Sequence, residues 1–296
     1  VSHVLLRSIL FIPANKPKYV DNVLTKRPRP DAIVIDLEDS IPPNEKEVAR
    51  SLVGDLVGKL HAIYPTFIRV NGVDTKWFID DVNAASIPGV AGLMIPKATQ
   101  EAIRDVDRLV LSIERDSSLT PSGLKLIPII ETAAGVVRSY EVAISSPRII
   151  ALSFGIADYS TDLGLAHPRR GPLTAQYARM KIANDAAAAG VVAIDSIYEN
   201  FRDLDGFRRD CLLSRELGFR GRLVIHPSQV DITNDIYSPS EEEVRWAEDI
   251  VGAYEEATSR GLGAASVGGT MIDSAHYKIA KRILSEVDDI RARDLS

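Results

Sequence analysis

Cysteine is almost missing from this chain of 296 residues: Cys211, in DCLLSREL, is the only one. A single cysteine excludes an intrachain disulfide and suits a reducing, cytoplasmic compartment. Its apolar, helical-looking neighbours read as the surroundings of a plain buried thiol rather than of a nucleophile. No Cys-x-x-Cys or His-x-x-x-His spacing occurs, which argues against a zinc site. Basic residues are in deficit, 35 Lys+Arg against 41 Asp+Glu for a formal charge of −6. That leaves no broad basic face, so nucleic acid is not an expected partner. No apolar run reaches ~18 residues, so no membrane span is expected. The opening VSHVLLRSILFIPANK lacks the order of a signal peptide and runs straight into what reads as a strand. Also missing are a Gly-rich phosphate loop, a Gly-x-Ser-x-Gly elbow, a solenoid repeat and any low-complexity tract.

What is present is ordinary in bulk and patterned in detail. Apolar residues make up 45% and charged residues 26%, as in a typical globular enzyme. The length allows one barrel-sized domain or two smaller ones. Eight short apolar, β-branched runs recur: SILFIP (8–13), AIVIDLE (32–38), TFIRV (66–70), GLMIPK (92–97), LKLIPII (124–130), IIALSFG (149–155), VVAIDS (191–196) and RLVIHP (222–227). Continuous apolar strands signal a parallel sheet buried on both faces. Helical patterns separate them, among them KYVDNVLTKR and AQYARMKIANDAAAAG, the latter closed by a glycine stop. Eight such units predict an α/β fold, a (β/α)8 TIM barrel over residues 1–235, with a doubly wound sheet as the alternative. Residues 236–296 change character and read as a C-terminal helical extension. There, Ser240 with Glu243 three residues on forms a capping-box signature for a helix of about five turns. GLGAASVGG reads as a small-residue linker, and TMIDSAHYKIAKRILSEV as a final amphipathic helix.

The strand ends carry the chemistry. Asn15 and Lys16 follow the first run; Asp36, Glu38 and Asp39 end the second; Arg69 and Asn71 the third; Lys97 the fourth; Glu131 the fifth. Asp158 follows the sixth, Asp195 and Ser196 close the seventh, and His226 closes the eighth. In a barrel these ends form the active-site face. A buried carboxylate is costly unless paired or metal-bound, and Glu131 and Asp158 would emerge from adjacent strands. Two such acids suit magnesium, which takes one or two carboxylates and keeps room for substrate oxygens. The alternative is that each acid caps a helix or pairs with a base. Arg69 could grip a substrate carboxylate or enolate oxygen at two points, or close a salt bridge to Asp36 or Glu38. Lys16, Glu38, Asp39 and Lys97 stand beside it as candidate substrate-binding residues. His226 before Pro227 reads as a hydrogen-bonded structural histidine more readily than as a base.

Ten segments in series then resemble a known family. They are RSILFIPAN, DAIVIDLEDS, FIRVNG, GLMIPKA, PIIETAAGV, FGIADYSTDLG, GPLTAQYAR, AIDSIYENFRDLDGF, LGFRGRLVIHPSQV and GGTMID, within a match that covers roughly residues 7–285. Together they resemble the citrate lyase beta-subunit-like family, which includes malyl-CoA and citramalyl-CoA lyases. The resemblance implies a TIM barrel, a Mg2+ cofactor and cleavage or formation of a carbon–carbon bond beside a thioester. It implies Glu131 and Asp158 as metal ligands and Arg69 as the catalytic group holding substrate oxygens. Asp273 of GGTMID resembles a catalytic acid supplied by a neighbouring subunit, although Thr270 and Ala275 depart from the pattern around it. Expected partners are an acyl-CoA or acyl-carrier thioester, a small oxo acid and further copies of the chain, as a trimer or hexamer. Rival readings are an aldolase on free hydroxy-oxo acids, a thioesterase on malyl-CoA-type substrates, and a carrier-docking subunit of a citrate lyase complex.

Overall fold

The computed structural model describes residues 5–25, 29–116, 120, 123–165 and 173–294. The end of KYVDNVLTKR and the start of GPLTAQYAR lie outside the described residues. Contacts divide the chain into two compact units, one of them Leu6–Asp235 and the other built on Ile236–Ser296.

In the first unit eight parallel strands close into a barrel in sequence order. They are β1 Ser8–Pro13, β2 Ala32–Asp36, β3 Thr66–Arg69, β4 Val90–Ile95, β5 Lys125–Ile130, β6 Ala151–Phe154, β7 Val192–Asp195 and β8 Gly221–Val224. Closure is made where Ile9 of β1 registers with Ala32 on one side and with Leu223 of β8 on the other. The expected TIM barrel is therefore the fold, with helices between the strands and further helices at the C-terminus.

The strands form because nearly every residue in them is apolar and buried on one face or the other. Side chains alternate across a strand, so each strand splits its residues between the lumen and the helical ring. One buried cluster collects Ile9, Val34, Phe67, Met94, Ile127, Ile129, Ala151, Ile194 and Leu223, with Phe11 packed against it. A row advancing by two from Val34 reaches Asp36, from Phe67 reaches Arg69, and from Ile129 reaches Glu131. The polar residues at those strand ends thus continue the same rows as that core. The helix Gln176–Ala189 ends as the sequence implies, on Gly190 at φ 73.

The second unit is a helical pair with a small hairpin. The helix Glu241–Ser259 starts on Ser240, whose side chain accepts from Glu243 N–H while the Glu243 carboxylate accepts from Ser240 N–H. GLGAASVGG is not a plain linker: Ala265–Val267 (β9) pairs antiparallel with Thr270–Ile272 (β10) through Gly268 and Gly269, both at positive φ. The final helix accordingly begins at Ser274 and runs to Asp294. Ile272, Ile283 and Leu284 join Ala247 and Ile250 in a small core, while Met271 and Ile279 stay exposed. Among the described residues no helix is long and apolar enough to cross a membrane.

Candidate active site

The mouth of the barrel is built around Arg69. Its Nε and NH2 donate to the two oxygens of Asp36 at 2.6 and 2.7 Å, a two-point grip from β3 onto β2. NH1 lies 2.9 Å from Glu38 Oε2 and 3.6 Å from Asp39 Oδ2. The guanidinium face covers Phe11 of β1 at 4.9 Å. Asp36 also accepts from Glu38 N and Ser40 N, so the turn after β2 wraps around one carboxylate. Burial would raise the Asp36 pKa, yet Arg69 and these hydrogen bonds hold it below the usual value. Glu38 shows the opposite balance. Its burial outweighs the attraction of Arg69, and neighbouring Asp39 and Asp36 add to the rise, to about 7.

Beneath this cluster sits Lys46, buried, donating to Leu37 O, Glu38 O and Asn71 Oδ1 at 2.7–2.8 Å. Asn71 also donates to Leu37 O and is fixed by Asp81. These bonds hold the ends of β2 and β3 together. No sequence signal marked Lys46, because two of its partners are backbone carbonyls and the third, Asn71, lies on another strand end.

Glu131, one residue past β5, is 4% exposed. Its Oε1 accepts from Lys97 N at 2.7 Å. Burial raises its pKa first, the Glu38 charge next, and Asp158 further, to about 8. Asp158 lies in the first turn of the helix Ile156–Asp162, its side chain 36% exposed, with Lys97 Nζ at 3.7 Å. Two bonds stitch the two acids' segments together: Gly155 N to Ile130 O, and Ala133 N to Asp162 Oδ2. A third, Ile156 N to Ser196 Oγ at 2.9 Å, anchors the start of the Asp158 helix to the end of β7. Gly155 is needed where it stands, because a Cβ there would fall 2.6 Å from Glu131 Cβ and closer still to its carboxylate.

Arg69, Glu38, Asp39, Lys97, Glu131 and Asp158 therefore belong to one electrostatic cluster. The other expected residues go elsewhere. Lys16 is exposed on the turn after β1. Asp195 does not face the mouth cluster: it is fully buried, with Arg179 from the helix Gln176–Ala189 at 3.1 Å and Arg222 at 3.6 Å. One step of alternation from Ile194 turns it outward to the helices. His226 stacks on Phe201 at 4.7 Å, and its Nδ1 lies 2.8 Å from Ser228 Oγ in a capping box, a structural placement. Asp273, in the second unit, precedes the last helix; its Oδ1 accepts from Ala275 N and lies 2.8 Å from His276 Nδ1. Cys211 is buried, and burial pushes its thiol up to about 11, as expected of an inert residue.

Residues 7–227 match the profile of the family described as HpcH/HpaI aldolase/citrate lyase. The chain belongs to that family. Among relatives within the HpcH/HpaI aldolase/citrate lyase family, the citrate lyase subunit beta of Leuconostoc mesenteroides subsp. cremoris is 32% identical over 282 residues, covering 95% of this chain and 92% of the relative. The (3S)-malyl-CoA thioesterase of Cereibacter sphaeroides (strain ATCC 17029 / ATH 2.4.9) is 32% identical over 290 residues, 97% of this chain and 96% of that protein. The structure of CitE from Mycobacterium tuberculosis in complex with magnesium, acetoacetate and coenzyme A shares the fold. Its TM-score is 0.74 at 24% identity, over 95% of this chain and 97% of that one.

Proposed function

We propose that this chain is a Mg2+-dependent carbon–carbon lyase that cleaves, or in reverse condenses, a 3-hydroxyacyl thioester such as malyl-, citramalyl- or citryl-CoA. The observation that carries the proposal is Glu131: a carboxyl 4% exposed, held by one backbone N–H and pushed up to about 8 beside Asp158 and Glu38. Acids so placed take up a proton or a cation. The donor set fits magnesium, since two carboxylates at an open mouth leave positions for water and substrate oxygens. The relatives named above, and the magnesium in the CitE complex, support the same reading. Glu131 and Asp158 would hold the ion. When bound, magnesium acidifies a coordinated hydroxyl and polarises a carbonyl.

The chain's own residues then divide the work. Arg69, locked by Asp36 on two of its nitrogens, keeps NH1 directed at the Glu38–Asp39 side and presents fixed positive charge where an enolate oxygen develops. Lys97 supplies charge for the carboxylate of the oxo acid. Glu38 and Asp39 keep Arg69 in register. Asp273, from a neighbouring subunit, is the proposed acid that protonates the enolate carbon. The substrate hydroxyl gives up its proton to solvent as the C2–C3 bond breaks, and with the enolate carbon protonated the products are a 2-oxo acid and an acyl thioester.

The test is purified protein with malyl-, citramalyl- and citryl-CoA, with and without Mg2+, following oxo-acid release. Expected is Mg2+-dependent release with at least one substrate, lost in Glu131→Gln and Asp158→Asn. No release with any of the three overturns the lyase reading. A second reading is favoured by the thioesterase relative. Free CoA appearing from malyl-CoA without glyoxylate would identify hydrolysis at the same site.

A further inference from the structure

Lys97 touches both acids of the proposed metal site, one with its backbone and one with its side chain. It is the only non-glycine residue at positive φ among the described residues, at 46°. Side chains larger than hydrogen rarely adopt that conformation, and it persists where the surroundings impose it. Here the imposing contacts are two successive amides after β4. Lys97 N donates to Glu131 Oε1 at 2.7 Å, and Ala98 N to Ile129 O at 3.2 Å. The turn fastens the end of β4 onto the end of β5 and aims Glu131.

The side chain does something different. Its Nζ is 3.7 Å from Asp158 Oδ1, an ion pair on a side chain 51% exposed. A half-exposed lysine ammonium beside a carboxylate carries its charge at neutral pH. Any cation bridging Glu131 and Asp158 shares Asp158 with that charge.

We propose that Lys97 sets the divalent-cation affinity of this centre, its backbone fixing Glu131 while its ammonium competes with the cation for Asp158. The inference rests on the metal site proposed above. Backbone aim and side-chain competition separate on substitution. Methionine at position 97 keeps the amide and most of the side-chain length but removes the charge. A unit charge a few ångströms from a divalent ion opposes it even in high dielectric, so the neutral variant is expected to bind Mg2+ at least ~5-fold more tightly, about 1 kcal/mol.

The experiment is calorimetric titration of Mg2+ alone into wild type, Lys97→Met, Lys97→Arg and Asp158→Asn, with circular dichroism and Tm on each. Lys97→Gln serves as a second neutral variant should the methionine protein not fold. Tighter binding in the neutral variant, with Lys97→Arg within ~2-fold of wild type, is the expected result. Loss of binding in Asp158→Asn with the neutral variant no tighter than wild type overturns the competition and leaves the metal site standing. Unchanged binding in Asp158→Asn overturns the metal site and this inference with it.

Discussion

Gly155→Ala is the substitution that tests the geometry of the mouth most directly. Gly155 has φ −112 and ψ 91, an extended conformation open to any residue, so alanine there brings no backbone strain. It would even narrow the unfolded ensemble by ~0.4–1 kcal/mol in favour of folding. The added methyl, however, would fall 2.6 Å from Glu131 Cβ and 3.2 Å from its Cδ. Ordinary carbon contacts need about 3.5 Å or more, so Glu131 must retreat by roughly 1 Å. Its neighbours on the other side are strand β5 and the Lys97 amide, which leave it little freedom. Overpacking of this kind costs ~1–3 kcal/mol, which the entropic gain offsets only in part. A displacement of ~1 Å at a catalytic group costs up to ~100-fold in rate. The expected variant is folded, a few degrees lower in Tm, with weakened Mg2+ binding and turnover reduced ~10- to 100-fold. The assay is Mg2+-dependent oxo-acid release alongside calorimetric Mg2+ titration. Wild-type affinity and rate in Gly155→Ala would refute the placement of Glu131 against Gly155, and with it the claim that this contact shapes the site.

Arg69→Lys keeps the charge but loses the planar fork gripping Asp36. A rate loss of at least ~10-fold is expected, ~1.4 kcal/mol of transition-state stabilisation, read from kcat/KM. Asp210→Asn addresses the buried network on the helical side of the barrel. Burial alone would raise the Asp210 pKa, but Arg179 and Arg222 hold it down to about 2 from 3.8. A depressed acid stabilises the fold above its unfolded pKa and gives that stability up as pH falls through the folded one. Asp210→Asn is therefore expected to cost at least ~2 kcal/mol in urea unfolding at pH 7, with the difference shrinking between pH 4 and 2. For Asp273, mixing inactive Arg69→Ala and Asp273→Ala subunits under exchange is expected to restore part of the activity. No recovery would mean that each subunit builds its own site.

The barrel was legible because parallel strands buried on both faces leave long apolar runs. SILFIP matches Ser8–Pro13 residue for residue, whereas IIALSFG narrows to Ala151–Phe154, and RLVIHP gives way to a strand that starts one residue earlier and stops at Val224, Gly221–Val224. Strand pairing stops where the mouth opens, and hydrophobicity does not mark that point. The Glu131–Asp158 pair was visible from its position after apolar runs. Asp195 was grouped with the mouth by position alone, although period-two alternation from Ile194 already turned it toward the helices. The hairpin β9–β10 was hidden by composition. Gly268 and Gly269 read as linker, yet adjacent glycines at positive φ between short apolar flanks are also a two-residue hairpin turn. Lys46, Gly155 and Phe11 were beyond the sequence, since each acts through neighbours distant in the chain.

The mouth and the helical side of the barrel differ in charge balance. Asp36, Glu38, Asp39, Glu131 and Asp158 share it with Arg69 and Lys97, and with Lys46 just below. Arg69 spends two nitrogens on Asp36, and Lys46 spends its three donors on two backbone carbonyls and Asn71. Burial is the main reason that Glu38 and Glu131 both rise; Arg69 NH1 beside Glu38 offsets this only in part, and the neighbouring acids add to it. Arg179 and Arg222 do the opposite to Asp210 behind the barrel, holding its pKa down despite burial. The same fold thus contains a satisfied network on its helical side and an under-compensated one at its mouth. The cation and polar substrate proposed above would relieve the second, and their binding free energy would then include the electrostatic cost that the folded chain already carries.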